Sequence, residues 1–152
     1  MRIAIGSDHA GLDLKTRIRQ HLEARGIDVV DFGTKTADSV DYPDFGFDVG
    51  KAVARGDCAL GVLICSTGIG ISIAANKVKG IRAALAYNVD AAVQSKSHLA
   101  ANVLVFGQKF IGPETALAAL DRWLETDFEG GRHERRLKKI ADYEAATQRP
   151  TS

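Results

Sequence analysis

Short apolar runs alternate with longer amphipathic stretches along the chain, and that alternation predicts strands and helices in turn. Arg2 to Gly6 is continuously apolar after its first residue, as in a strand buried on both faces. Ala10, Leu14, Ile18 and Leu22 then recur every fourth residue, marking one face of a helix that Gly26 can stop in a left-handed conformation. Asp28 to Phe32 predicts a second strand. Asp41-Tyr42-Pro43 opens a second helix, with proline early in the first turn, where its missing N–H costs nothing. Phe45, Val49, Ala52 and Val53 give that helix its buried face, and Gly56 ends it.

Leu60 to Cys65 is the strongest strand pattern. The glycine-rich turn Ser66-Thr67-Gly68-Ile69-Gly70 follows it, and a helix is predicted to Lys77. Arg82 to Ala86, Val89 to Ser97, Val103 to Phe106 and Pro113 to Leu124 continue as strand, helix, strand, helix. Glu134 to Thr147 is a last, more polar helix that could reach a partner chain, and residues 148–152 are expected to be a frayed tail. This order predicts α/β architecture: one doubly wound, Rossmann-like domain over 1–147, with a five-stranded parallel sheet and a C-terminal helix.

Length and composition narrow the function. A chain of 152 residues suits one domain, which buries roughly 70% of its unfolded surface. The net charge is +1 and both signs are spread along the chain, which excludes a nucleic-acid platform with a basic stripe. The cluster Arg132-His133-Glu134-Arg135-Arg136 suits one small anion instead. No apolar run approaches the ~18 residues of a membrane span, and the N-terminal run is too short for a signal peptide. Cys58 and Cys65 stand seven apart with no second pair, so neither a zinc site nor a disulfide framework is predicted. A reduced cytoplasm is the expected compartment.

Ligands of open parallel sheets bind beyond the carboxyl ends of the strands. The residues there are Ser7, Asp8 and His9, then Cys65 with its glycine turn, then Tyr87 and Asn88, then Gly107, Gln108 and Lys109. A glycine turn entering a helix exposes N–H groups at the positive end of the helix dipole and can hold an anion. No Gly-Lys-Ser/Thr follows, and position 73 is Ile73, so it is neither a P-loop nor a dinucleotide fingerprint. A lone cysteine ending an apolar strand is ordinarily core. At a helix N-terminus, however, the thiolate is favoured, and a thiolate beside an anion hole is what proton abstraction next to a carbonyl needs. Asp8 either caps the next helix or works with His9. Arg132 and Arg136 are four apart, hence on one helical face, where a pair can grip phosphate. His98 alone reads as a surface histidine.

Together these residues resemble the type B ribose-5-phosphate isomerases and their relatives, the galactose-6-phosphate isomerase subunits. The resemblance runs from Ile3 to Ile140. It rests on Gly6-Ser7-Asp8-His9-Ala10-Gly11, Asp41-Tyr42-Pro43, the block from Ile64 to Lys77, Gly80-Ile81-Arg82-Ala83, Asn102-Val103-Leu104 and Gly130-Gly131-Arg132-His133. It implies a cofactor-independent, metal-free aldose–ketose isomerase acting through a cis-enediolate, with ribose 5-phosphate and ribulose 5-phosphate as the expected pair. Cys65 matches the base, Thr67 a hydroxyl that aids proton traffic, and the backbone of Ser66, Gly68 and Gly70 the enediolate hole. Asp8 and His98 match the ring-opening pair. His9, Lys109, Arg132, His133 and Arg136 match the phosphate grip. The resemblance also implies a homodimer or tetramer with sites shared between chains.

Two positions depart from the family pattern. Ser66 stands where glycine is usual. Leu99 stands where members acting on ribose 5-phosphate commonly carry asparagine, which leaves allose, galactose or tetrose phosphate as alternative substrates. Two other readings compete with the resemblance. A phosphoacceptor domain needs aspartate at the end of the third strand, where Cys65 lies. A non-catalytic subunit or sugar-phosphate sensor needs the grip but not the base.

Overall fold

The computed structural model describes residues 1–147; the tail expected at 148–152 lies outside the described residues. Five strands, β1 (Arg2–Ser7), β2 (Asp28–Asp31), β3 (Leu60–Cys65), β4 (Ala83–Leu85) and β5 (Val103–Gly107), form one parallel sheet in the order β2-β1-β3-β5-β4. Between and after them run α1 (Leu12–Ala24), α2 (Tyr42–Ala54), α3 (Ile69–Asn76), α4 (Val89–Ser97), α5 (Pro113–Glu125) and α6 (Arg132–Thr147).

The strand residues alternate between two cores. Ile3, Ile5, Val62, Ile64, Leu104 and Phe106 pack with Leu14, Ile18 and Leu22 of α1, Ala92 of α4 and Leu120 and Trp123 of α5. Ala4, Leu63, Cys65, Val103 and Val105 pack on the opposite face with Val49, Ala52 and Val53 of α2 and Ile71 and Ala75 of α3. Both faces are covered, which explains why the central strands are almost wholly apolar.

The strand order reverses its direction between β1 and β3. β1 leads into α1 on one face, whereas β3 leads into α3 on the other, and this opens a crevice at their carboxyl ends. β5 lies between β3 and β4, so the β3–β4 connection passes over it. The edge strand β4 is short. Its Ala83 N–H donates to Asn76 Oδ1 at 2.8 Å, and its C=O accepts from Asn76 Nδ2 at 2.9 Å.

Local chemistry sets the element boundaries. Asp8 caps a short 3-10 turn, His9–Gly11, by accepting the Gly11 N–H at 3.1 Å, so the regular helix begins only at Leu12. α6 starts at Arg132, two residues before the helix expected from Glu134, because Gly130 and Gly131 (φ 72° and 59°) turn the chain into it. That helix buries little against its own chain: His133 is its one buried residue, while Ile140 and Tyr143 are exposed. Among the described residues no helix is long and apolar enough to cross a membrane.

Candidate active site

The crevice between β1 and β3 holds the first group of expected residues. Cys65 ends β3 and is buried. The turn after it reverses sharply, because Gly68 takes a left-handed conformation (φ 80°) as the N-cap of α3. A side chain at Gly68 would also collide, its Cβ falling 2.4 Å from Leu85 Cδ1. The fold thereby turns the Gly68 N–H back onto Cys65 Sγ at 3.2 Å. Thr67 Oγ1 accepts the Ile69 N–H at 3.1 Å. Gly70, in the first turn of α3, has no preceding helical carbonyl to bond, so its N–H remains a donor at the positive helix end.

The turn is strapped from β5. The Gln108 N–H donates to Cys65 O at 3.0 Å and the Lys109 N–H to Ser66 O at 2.9 Å. Gly107 allows this approach, since a Cβ there would lie 2.2 Å from Thr67 O. Asp8 is buried at the end of β1. His9 is exposed, and its Nδ1 accepts the Val40 N–H at 3.2 Å, which leaves Nε2–H as an outward donor. Lys109 is exposed at the end of β5.

Two tyrosines complete this surface, and neither was assigned a role from sequence. The Tyr87 hydroxyl donates to Thr67 O at 2.9 Å, and its ring meets Phe110 edge-on at 5.5 Å between centroids. Tyr42 packs over Gly70, where an added Cβ would lie 2.6 Å from the tyrosine Cζ. The glycine at position 70 and the tyrosine opening α2 are the sequence signals, but only the fold shows that they touch.

The remaining expected residues lie at the opposite edge of the sheet. α4 runs antiparallel to the strands, so its C-cap, His98, reaches their amino ends. Arg82, just before β4, donates from Nε to Leu99 O at 3.1 Å, and the Gly61 N–H at the start of β3 donates to Asn102 O at 2.9 Å. The Glu129 N–H is tied to Ser97 O at 2.9 Å, which brings the start of α6 to the same edge. There the His98 and His133 rings stack, with centroids 4.2 Å apart. Arg132 and Arg136 are exposed on α6 beside them. Burial of the ring, and then the neighbouring charges of His98 and Arg132, push His133 below its usual range. Leu99 is about half exposed.

Within one chain the two groups therefore lie toward opposite ends of the strands. Cys65, Ser66, Thr67, Gly68, Gly70, Asp8, His9 and Lys109 share the carboxyl edge. His98, Leu99, Arg132, His133 and Arg136 share the amino edge. At that second edge the donor atoms of His98, Glu129 and His133 all lie within 4.8 Å of one another, a grouping that sequence spacing did not reveal.

Comparison with known proteins gives one consistent result. The sequence profile of the Ribose/Galactose Isomerase family matches residues 3–140. Ribose-5-phosphate isomerase B of Escherichia coli is 46% identical over 143 residues, covering 94% of this chain and 96% of that protein. A putative sugar phosphate isomerase of Bacillus subtilis is 45% identical, covering 95% and 97%. Among solved structures, that of Clostridium thermocellum ribose-5-phosphate isomerase B superposes with a TM-score of 0.96 at 50% identity, covering 97% of this chain and 100% of the other. The Mycoplasma genitalium enzyme, with bound ribulose-5-phosphate, gives 0.92 at 44%, covering 96% and 97%. The chain belongs to the ribose/galactose isomerase family.

Proposed function

We propose that this chain is a cytoplasmic aldose–ketose isomerase interconverting ribose 5-phosphate and ribulose 5-phosphate, with Cys65 as the base and sites shared between two chains. The observation that carries the reading is the approach of the Gly68 N–H to Cys65 Sγ at the mouth of α3. It aims positive partial charge at the sulfur beside a turn whose further N–H groups can hold an oxyanion. The relatives named for this activity support the substrate, and the two free thiols, Cys58 and Cys65, fit a reducing compartment.

The chemistry follows from these groups. Asp8 and a histidine, His98 from a second chain, move the protons that open the furanose. The Cys65 thiolate then takes the proton from C2, and the electron pair shifts through the C1 carbonyl to give a cis-enediolate. Donors of the turn, including the Gly70 N–H, hold the developing charge. The Thr67 hydroxyl passes the proton from O2 to O1. Cys65 returns its proton to C1, which leaves the ketose with no net gain or loss. His9 and Lys109 of one chain, with Arg132, His133 and Arg136 of the other, hold the phosphate.

Sharing between chains is supported by the placement of the two groups toward opposite ends of the strands. It is also supported by the exposed apolar residues Ile69, Ile73, Leu99, Ile140 and Tyr143, which a second chain would cover. The test is steady-state kinetics of the purified chain alone on a panel of aldose and ketose phosphates. Turnover of ribose 5-phosphate is expected; no turnover of any member would sink the enzymatic reading and favour a subunit or sensor.

A further inference from the structure

Three successive carbonyls of the turn after β3 accept hydrogen bonds. The Gln108 N–H donates to Cys65 O at 3.0 Å and the Lys109 N–H to Ser66 O at 2.9 Å, both from the backbone. Thr67 O differs, because a side chain reaches it: the Tyr87 hydroxyl donates to it at 2.9 Å.

Thr67 O belongs to the same peptide unit as the Gly68 N–H. That unit is planar and trans, so its oxygen and its hydrogen point in opposite directions. The hydroxyl holds one side of the plane, while on the other side the N–H addresses Cys65 Sγ at 3.2 Å. The Tyr87 hydroxyl, the Thr67 carbonyl, the Gly68 N–H and the Cys65 sulfur thus form one row of donors and acceptors. In such a row each hydrogen bond polarises the next.

The fold gives Tyr87 this reach. It follows β4 at the carboxyl edge, where the Ala86 N–H donates to Val105 O at 3.0 Å and ties the segment to β5. β5 lies between β4 and β3, so the hydroxyl must reach past the end of β5. Gly107 stands there, and a Cβ on it would lie 2.2 Å from Thr67 O. Phe110 meets the tyrosine ring edge-on at 5.5 Å and steadies it.

We propose that Tyr87 is a positioning residue for Cys65, holding and polarising the Thr67–Gly68 peptide so that its N–H favours the thiolate. It acts through the peptide and not on the sugar. A carbonyl that accepts a hydroxyl proton leaves its own N–H a stronger donor, and a stronger donor favours the charged sulfur over the neutral thiol. The kinetic part of this proposal rests on the reading of Cys65 as the base; the effect on the sulfur does not.

The test is Tyr87→Phe, which removes the hydroxyl and keeps the ring against Phe110. Circular dichroism should match the wild type. Two pH profiles are then compared with those of the wild type. One is the ultraviolet thiolate band, with the Cys65→Ala counterpart of each protein subtracted. The other is kcat/KM for ribose 5-phosphate. Bonds in a row strengthen one another by about 10–30%, so loss of the hydroxyl should move both profiles up by about 0.3–0.6 pH unit. On the acid limb kcat/KM should fall by about twofold to fourfold. The loss should lie in kcat, with KM hardly changed, and the gap should close at alkaline pH. An unmoved thiolate band overturns the proposal, and any loss of activity uniform in pH would then mark Tyr87 as a packing residue. A band that moves while kcat/KM does not, or in a chain that isomerises no sugar phosphate, upholds the positioning role and sinks the functional reading instead.

Discussion

The Gly68 N–H points at Cys65 Sγ from 3.2 Å, so the residue that must be left-handed to make the turn is also the one that addresses the sulfur. If this sulfur carries the proton between C2 and C1, Cys65→Ala should lower turnover by roughly two to four powers of ten, the usual worth of a placed general base. Substrate binding should change far less. Near-normal turnover in a folded Cys65→Ala protein would remove the central claim.

The separation of Cys65 from His98 within one chain makes a sharper prediction about assembly. Cys65→Ala and His98→Ala homodimers should each be nearly inactive. Mixed, unfolded together and refolded, they should recover about a quarter of wild-type activity, since half of the dimers are hybrids and each hybrid has one intact site. A mixture no more active than its components would mean that each site draws on one chain alone.

Arg136 offers a test of the phosphate grip. Arg136→Ala should raise the KM for a sugar phosphate by about tenfold to a hundredfold, as loss of a charge-assisted hydrogen bond does. A non-phosphorylated sugar should hardly notice the change. Equal sensitivity of both substrates would assign Arg136 to folding or assembly.

Leu99, about half exposed next to His98, bears on the choice of sugar. A leucine cannot hydrogen-bond a sugar hydroxyl, whereas an asparagine can discriminate among sugars by that contact. Leu99→Asn should shift relative kcat/KM toward ribose 5-phosphate over a six-carbon aldose phosphate by roughly tenfold, the worth of a net hydrogen bond of about 1–1.5 kcal/mol. An unchanged ratio would show that Leu99 does not line the sugar pocket.

Stability should depend on acid through Asp31. Its carboxylate takes Lys15 Nζ at 2.7 Å on each oxygen, with both side chains almost fully buried. Burial works against ionisation of Asp31, but hydrogen bonds from Lys15 and the Gly33 N–H, with the charges of Lys15 and Arg19, outweigh it and hold the carboxyl below its usual range. The unfolded chain therefore binds this proton more readily. The contribution is complete above the ordinary carboxylate value of about 3.9, and it is lost as pH falls through the lower, folded value. Asp31→Asn leaves Lys15 without its anion and should cost about 3 kcal/mol near neutrality. Urea unfolding at about pH 6 and about pH 3 should show the gap between wild type and variant shrinking in acid; a gap that stays constant or widens contradicts this.

Most of the fold was legible from residue order. Leu60 to Cys65 and Val89 to Ser97 coincide with β3 and α4, because an apolar run bounded by turn residues and a capped amphipathic stretch are local signals. The insertion of β5 between β3 and β4 was not legible, since strand order depends on how distant segments pack. The same division holds for the site. Cys65 ends a strand, Asp8 and Lys109 follow strands, and all three could be placed at the carboxyl edge by topology alone. The stacking of His98 on His133 joins segments far apart in sequence, and so does the hydrogen bond from Tyr87 to Thr67. No periodicity encodes such contacts.

The bond pair between Asn76 and Ala83 has a consequence for how chains of this protein can meet. A three-residue strand at the margin of a sheet offers backbone groups to any passing extended segment. Here a carboxamide from the end of α3 already answers both groups of Ala83, imitating one residue of a neighbouring strand. Continuous sheets running from chain to chain are thereby opposed at Ala83 on this margin. At this margin side-chain contact, whose fit is finite and closes on itself, is favoured over main-chain pairing, which can repeat without end.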